Sequence, residues 1–208
     1  MTLAENPRTE ERFTTWTDWN GYLQILEAFK GRRIKITYDR GALELLTPSW
    51  LHESIKRYLA QLLDAACYQK DFDYTPGGST TFRRQLLDRG LEPDECYFFS
   101  HPEQIGDHLT PEEMPPPDLA VEVEISRSSL DRLSIYQALG VPEVWCYSIE
   151  HTLRILRLGS DGYRAVKSSS YFPELPPDEV CGFVQLGLRK RSNAMLRAFG
   201  EWLARRAP

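Results

Sequence analysis

The stretch that most constrains the fold runs from Pro115 to Ser148, PPPDLAVEVEISRSSLDRLSIYQALGVPEVWCYS. Three prolines close a loop. From Leu119 to Ile125, apolar and acidic residues then alternate: Val121, Val123 and Ile125 on one side, Glu122 and Glu124 on the other. A period of two is the signature of a strand, and valine and isoleucine suit its pleated surface. Ser128 and Ser129 offer N-caps for a helix over about 129–139, with Leu130, Leu133, Ile135 and Tyr136 as its apolar stripe and Gly140 as its stop. Val141-Pro142 turns the chain, and 143–148 is apolar enough for a second strand. Strand, helix, strand is a crossover unit, right-handed in nearly all sheets.

A strand with two carboxylates on one face has few options. Burying them without a cation costs several kcal/mol per charge, so the face is expected to be wet or to hold a metal. A solvated outer face is the plain reading, because most strand carboxylates are simply exposed.

The 208 residues suit a single domain over 1–208, with 41% hydrophobic and 26% charged residues, enough for a substantial core. The net charge of -5 argues against a protein that coats nucleic acid by bulk charge, but not against a nuclease whose site itself needs carboxylates. No apolar run suggests a signal peptide or a membrane span, so a cytoplasmic protein without a membrane partner is expected. Cys67, Cys96, Cys146 and Cys181 are scattered with no paired spacing, which points to free buried thiols rather than zinc.

Around this unit, residues 1–15 read as a polar lead-in. Asp18 caps a helix through about Phe29, and 33–38 and 42–47 form a hairpin about Asp39-Arg40-Gly41. Ser49 caps a longer helix over about 50–68, with His52 and Glu53 in its first turn; the helix dipole by itself accounts for an acid there. Strands are expected on each side of Pro76-Gly77-Gly78 and over 92–99, and a turn over 86–90. A second hairpin spans 153–167, a helical turn lies within 178–183, and a last helix covers about 192–206, its basic residues read as a solvated face.

Asp94 and Asp118 both follow a proline at a strand entry. Asp118 and Glu122 lie on one strand, ~13 Å apart at ~3.3 Å per residue, too far to share one ion. Asp94 lies on another strand. If the two strands pair, the Cα atoms of Asp94 and Glu122 come within ~5 Å, so Asp94 is the expected partner and Asp118 a loop-end residue.

Four stretches, ITYDRGALELLTPSWLHE, EPDECYFF, PDLAVEVEIS and DRLSIYQALGVPEVW, occur in an order that resembles the PD-(D/E)XK restriction-endonuclease-like superfamily, and more closely its Uma-two endonuclease family. The resemblance implies an α/β (α+β) fold: a mixed sheet flanked by helices as the core over about 50–148, with an N-terminal extension over 16–47 and a C-terminal one over 152–206. It implies that Asp94 and Glu122 hold Mg²⁺ or Mn²⁺, with Glu53 assisting, and that Glu124 stands where the superfamily's lysine would be. In the family that lysine moves to the next helix, four residues before a tyrosine; here the tyrosine is Tyr136 and the position holds Arg132. Arginine cannot act as a base, but it can orient a nucleophile or stabilise charge on phosphorus. A structural salt bridge from Arg132 to Asp131 or Glu124 is the alternative.

The function so implied is a metal-dependent DNA endonuclease with catalytic residues Asp94, Glu122, Glu124 and Arg132. The alternatives are a nuclease fold that has lost catalysis and binds nucleic acid or protein, and an unrelated α/β domain with an exposed acidic strand. Trp16, Tyr163, Tyr171 and Phe172 fall outside the expected core, and cutting both strands of a duplex takes two sites, so a homodimer is expected.

Overall fold

The structure, a computed structural model, describes residues 10–206. Its larger sheet has six strands in the order β11-β10-β9-β8-β7-β4, and its smaller sheet five in the order β1-β3-β2-β6-β5. In chain order the elements are β1 (Glu11–Trp16), α1 (Trp19–Ala28), β2 (Lys35–Asp39), β3 (Ala42–Thr47), α2 (Trp50–Lys70), β4 (Thr75–Pro76), β5 (Phe82–Arg84), β6 (Arg89–Leu91), β7 (Glu95–Phe98), β8 (Leu119–Glu124), α3 (Arg132–Leu139), β9 (Glu143–Ser148), β10 (Leu153–Gly159), β11 (Gly162–Val166) and α4 (Pro177–Ala204).

The acidic strand is β8, at the centre of the larger sheet. It pairs antiparallel with β7 and parallel with β9, with α3 as the crossover, so the sheet is mixed. Its alternation sorts two cores. Leu119, Val121 and Val123 join Leu59, Leu62 and Leu63 of α2 and Val184 and Phe199 of α4. Each buried leucine there contributes about 1.5–3 kcal/mol. On the opposite side Ala120 joins Ile135 and Tyr136 of α3 with Val144 and Cys146 of β9. Glu122 shares the Ala120 parity and therefore faces α3.

The smaller sheet is two-faced. Ile36, Tyr38 and Leu43 pack with Tyr22 against α1. The alternate residues Lys35, Thr37 and Glu44 are buried on the other side, Thr37 opposite Glu44 in register. That polar face meets the loop after β8: Glu44 accepts hydrogen bonds from the Ser128 hydroxyl and the Ser129 amide, both at 2.9 Å.

Several local expectations change. Residues 11–16 are not lead-in but β1, paired with β3 from Glu11↔Thr47 to Trp16↔Ala42; residues 1–9 of that stretch lie outside the described residues. Ser128 and Ser129 do not cap α3, because Glu44 engages them; Asp131 does, accepting from the Ser134 amide at 3.2 Å. The strands flanking Pro76-Gly77-Gly78 fall in different sheets, and the 86–90 turn leads into β6. The C-terminal helix starts at Pro177 and is broken only at Arg191, where φ is 68°. Three of the four aromatics placed outside the core belong to it: Phe172 is buried, Tyr171 lies 4.7 Å from the Phe99 ring, and the Tyr163 hydroxyl donates to the Val141 carbonyl at 2.5 Å. Trp16 alone of the four stays exposed.

Candidate active site

Pro93-Asp94 stands at the entry of β7. Glu95 is opposite Val121, the last pair of that antiparallel ladder, and Asp94 stands just before it, outside β7. The Asp94 amide donates to the Val121 carbonyl at 3.1 Å, and its Oδ2 accepts from the Val123 amide at 2.7 Å. Its carboxylate thus takes the place of a main-chain acceptor where the β7 ladder ends. Asp118, by contrast, clamps a turn, accepting from the amides of Phe99 and Ser100 at 2.7 and 2.9 Å.

Asp94 is 1% exposed and Glu122 7%, so the face that carries them is not a wet one. Cations of the chain itself compensate both. Lys35, from β2, donates its ammonium to Asp94 Oδ1. His52 Nε2 lies 2.7 Å from the same oxygen, while its Nδ1 lies 2.7 Å from Glu10 Oε1. Burial works against a charged imidazole, but the hydrogen bonds to Asp94 and Glu10 outweigh it and push the His52 pKa up to about 9. Burial would likewise raise Asp94, yet Lys35 and His52 hold its carboxyl well below the usual range.

Glu122 is held from α3. Arg132 Nη2 donates to Glu122 Oε1 at 2.6 Å and to the Glu92 carbonyl at 2.9 Å, Nη1 donates to the Thr37 hydroxyl, and the buried Nε–H has no acceptor among the described residues. Tyr136, one turn further along the same helix face, also donates to Glu122 Oε1. Burial and the adjacent Glu122 raise the Tyr136 pKa, so it remains a donor. The salt bridge of Arg132 therefore runs to Glu122, not to Asp131 or Glu124.

Asp94, Glu122 and Arg132 line a pocket of about 430 Å³ with Lys35, His52 and Tyr136. Glu124 lies on its outer wall, exposed and 3.2 Å from Arg154. Glu53 is not brought to the pair; half-buried in the first turn of α2, it lines a neighbouring cleft, and the adjacent His52 reaches Asp94 instead. Lys35, His52 and Glu10 were not singled out from the sequence. Lys35 opens β2, KITYD, a strand that also carries Thr37 and Asp39, so nothing local marked it as a buried partner.

The chain matches a family described as "Uma2: Putative restriction endonuclease" over residues 19–188. It belongs to the Uma2 family. No curated protein matches it. Among solved structures, this Uma2 protein is similar to one described as "a putative nuclease belonging to DUF820 from Anabaena variabilis ATCC 29413", at a TM-score of 0.54 and 12% identity, covering 72% of this chain and 90% of that one. At that identity the likeness is one of fold. The mixed sheet between α2 and α3 expected of a restriction-endonuclease-like core is what the Uma2 chain contains.

The donor set fits a magnesium-like ion rather than a caged one. Mg²⁺ is commonly held by one or two carboxylates with water and phosphate completing its shell, and Asp94 and Glu122 are two such groups lining one pocket. Among the described residues no group of three or more His, Cys, Asp or Glu side chains is gathered to hold a metal.

Proposed function

We propose that this Uma2 protein is a metal-dependent nuclease that hydrolyses phosphodiester bonds in DNA, with Asp94 and Glu122 as the ligands of Mg²⁺ or Mn²⁺. The observation that supports the reading is that Asp94, bonded to β8 through the Val121 carbonyl and the Val123 amide, lines one pocket with Glu122 of β8. When bound, the ion would polarise the scissile phosphate and lower the pKa of water.

The chain's own residues supply the rest. Arg132 stays charged and cannot take a proton, so its part is to fix Glu122 and to meet negative charge on the phosphate through its unpartnered Nε–H. Lys35 provides an ammonium beside Asp94, the group that the family resemblance places at position 132. Lysine on β2 and arginine on α3 thus each hold one of the two carboxylates. Glu124, paired with Arg154 at the rim, is placed to shape the pocket mouth rather than to touch the reacting atoms.

A second reading has its own observation. Lys35, His52 and Arg132 already balance Asp94, Glu10 and Glu122, so the pocket is neutral without an ion, as a nuclease fold retained for binding alone would be. Incubating the purified protein with supercoiled plasmid and with single-stranded DNA, in Mg²⁺ or Mn²⁺ and against Glu122→Ala, separates the two. A homodimer is called for only where both strands of a duplex are cut, and light scattering during the same experiment reads it.

A further inference from the structure

A second, larger cleft of about 2030 Å³ adjoins the pocket, and Lys35, Ile125 and Ser126 line both. It is bounded by the loop after α1 and the first turns of α2. Gly31, at φ 74°, turns the chain out of α1 and leaves Arg32 and Arg33 exposed on one wall. Trp50 and Arg57, seven residues apart, share one face of α2 on the other wall. The cleft lining carries seven Lys and Arg side chains against five Glu, in a chain whose net charge is -5. Some of that charge is spent: Lys30 reaches Glu27 at 3.9 Å and Arg83 pairs with Glu112. Arg32, Arg33 and Arg57 are exposed, with no carboxylate in salt-bridge reach among the described residues. Trp50, on the same lining, is 82% exposed.

An exposed indole among unpaired arginines costs solubility and adds nothing to the core. It matches what a single polynucleotide strand needs, a flat ring on which an unpaired base stacks and cations that follow its phosphates. In a duplex the base faces are already stacked and unavailable to Trp50. We propose that this cleft binds a single-stranded stretch of nucleic acid, with a base on Trp50 and phosphates on Arg32, Arg33 and Arg57, and delivers it past Lys35 to Asp94 and Glu122. The proposal rests on the nuclease reading and names the form of its substrate.

The test is binding in EDTA, where cleavage plays no part. A fluorescent single-stranded oligodeoxynucleotide, the same sequence as RNA, and its DNA duplex are titrated with full-length protein at low salt, reading anisotropy and tryptophan emission. The single strand, as DNA or RNA, is expected to bind about tenfold more tightly than the duplex and to quench emission. Trp50→Ala removes the quenching, and Arg33→Glu with Arg57→Glu weakens binding about tenfold or more. These positions are exposed, so unchanged melting temperatures confirm that the variants fold. Duplex binding as tight as single-strand binding, or variants that bind like wild type, would overturn the proposal. If wild type binds the single strand through these residues but cuts nothing, only the nuclease reading fails. If it cuts DNA while the cleft variants bind and cut unchanged, only this one fails.

Discussion

Arg132 donates to Glu122 Oε1 at 2.6 Å, a bond between the first turn of α3 and the strand that precedes it. Both side chains are almost out of water, so neither charge has solvent to fall back on. Removing one partner of such a pair costs about 3–5 kcal/mol, while replacing both with apolar residues is often close to neutral. Arg132→Met is therefore expected to lower unfolding free energy by about 3–5 kcal/mol, and Arg132→Met with Glu122→Met to recover most of it. Urea denaturation of the single and double variants measures this; a single-variant loss below about 1 kcal/mol would mark the bridge as incidental.

On the proposed function, a divalent ion at Asp94 would compete with Lys35 for the same carboxylate oxygen. Two like charges that close repel by up to about 4 kcal/mol even in a moderately polar surrounding. Lys35→Met is expected to tighten Mn²⁺ binding about tenfold by calorimetry and yet to reduce cleavage, because the ammonium beside Asp94 is gone. Opposite signs for affinity and rate separate an active-site lysine from a purely structural one. Unchanged affinity would mean that Asp94 does not hold the ion.

How much of this was readable beforehand differs by residue. Asp94 and Glu122 were legible as candidates because a strand entry and a period-two pattern are local signals, and the strands β7 and β8 do pair, as that expectation required. The partners of those carboxylates were not. Lys35 and His52 act where the smaller sheet and the start of α2 close over the end of β8, and no local periodicity encodes that docking. Arg132 was singled out, but its bond to Glu122 depends on how α3 folds back over β8, so nearer carboxylates in sequence were the natural guesses. Tyr171 and Phe172 read as loop aromatics because a buried loop leaves no periodic trace; only the fold reveals that they pack on Phe99.

The four cysteines are buried and free, as their scattered spacing suggested. Burial, chiefly, pushes the Cys67 thiol up to about 12 and the Cys181 thiol up to about 11 from an ordinary 9.0. A group whose folded pKa is raised favours the fold at low pH and loses that contribution as pH climbs from its unfolded to its folded value. Stability is thus expected to fall between about pH 9 and pH 12, and native protein at about pH 8 should react with no thiol reagent, while all four thiols react in denaturant. A fast native reaction would place at least one cysteine at the surface.

The central claim is that the carboxylates Asp94 and Glu122, lining one pocket, make this Uma2 protein a nuclease. Its most direct measurement is cleavage of single-stranded and supercoiled DNA by wild type, Glu122→Ala and Asp94→Asn, each checked for folding by circular dichroism, in Mn²⁺, in Mg²⁺ and in EDTA. The account predicts cleavage by wild type in a divalent ion, none in EDTA, and a loss of at least about a hundredfold in both folded variants. Wild-type protein that leaves both DNAs intact in either metal, or variants that cut as fast as wild type, would contradict it.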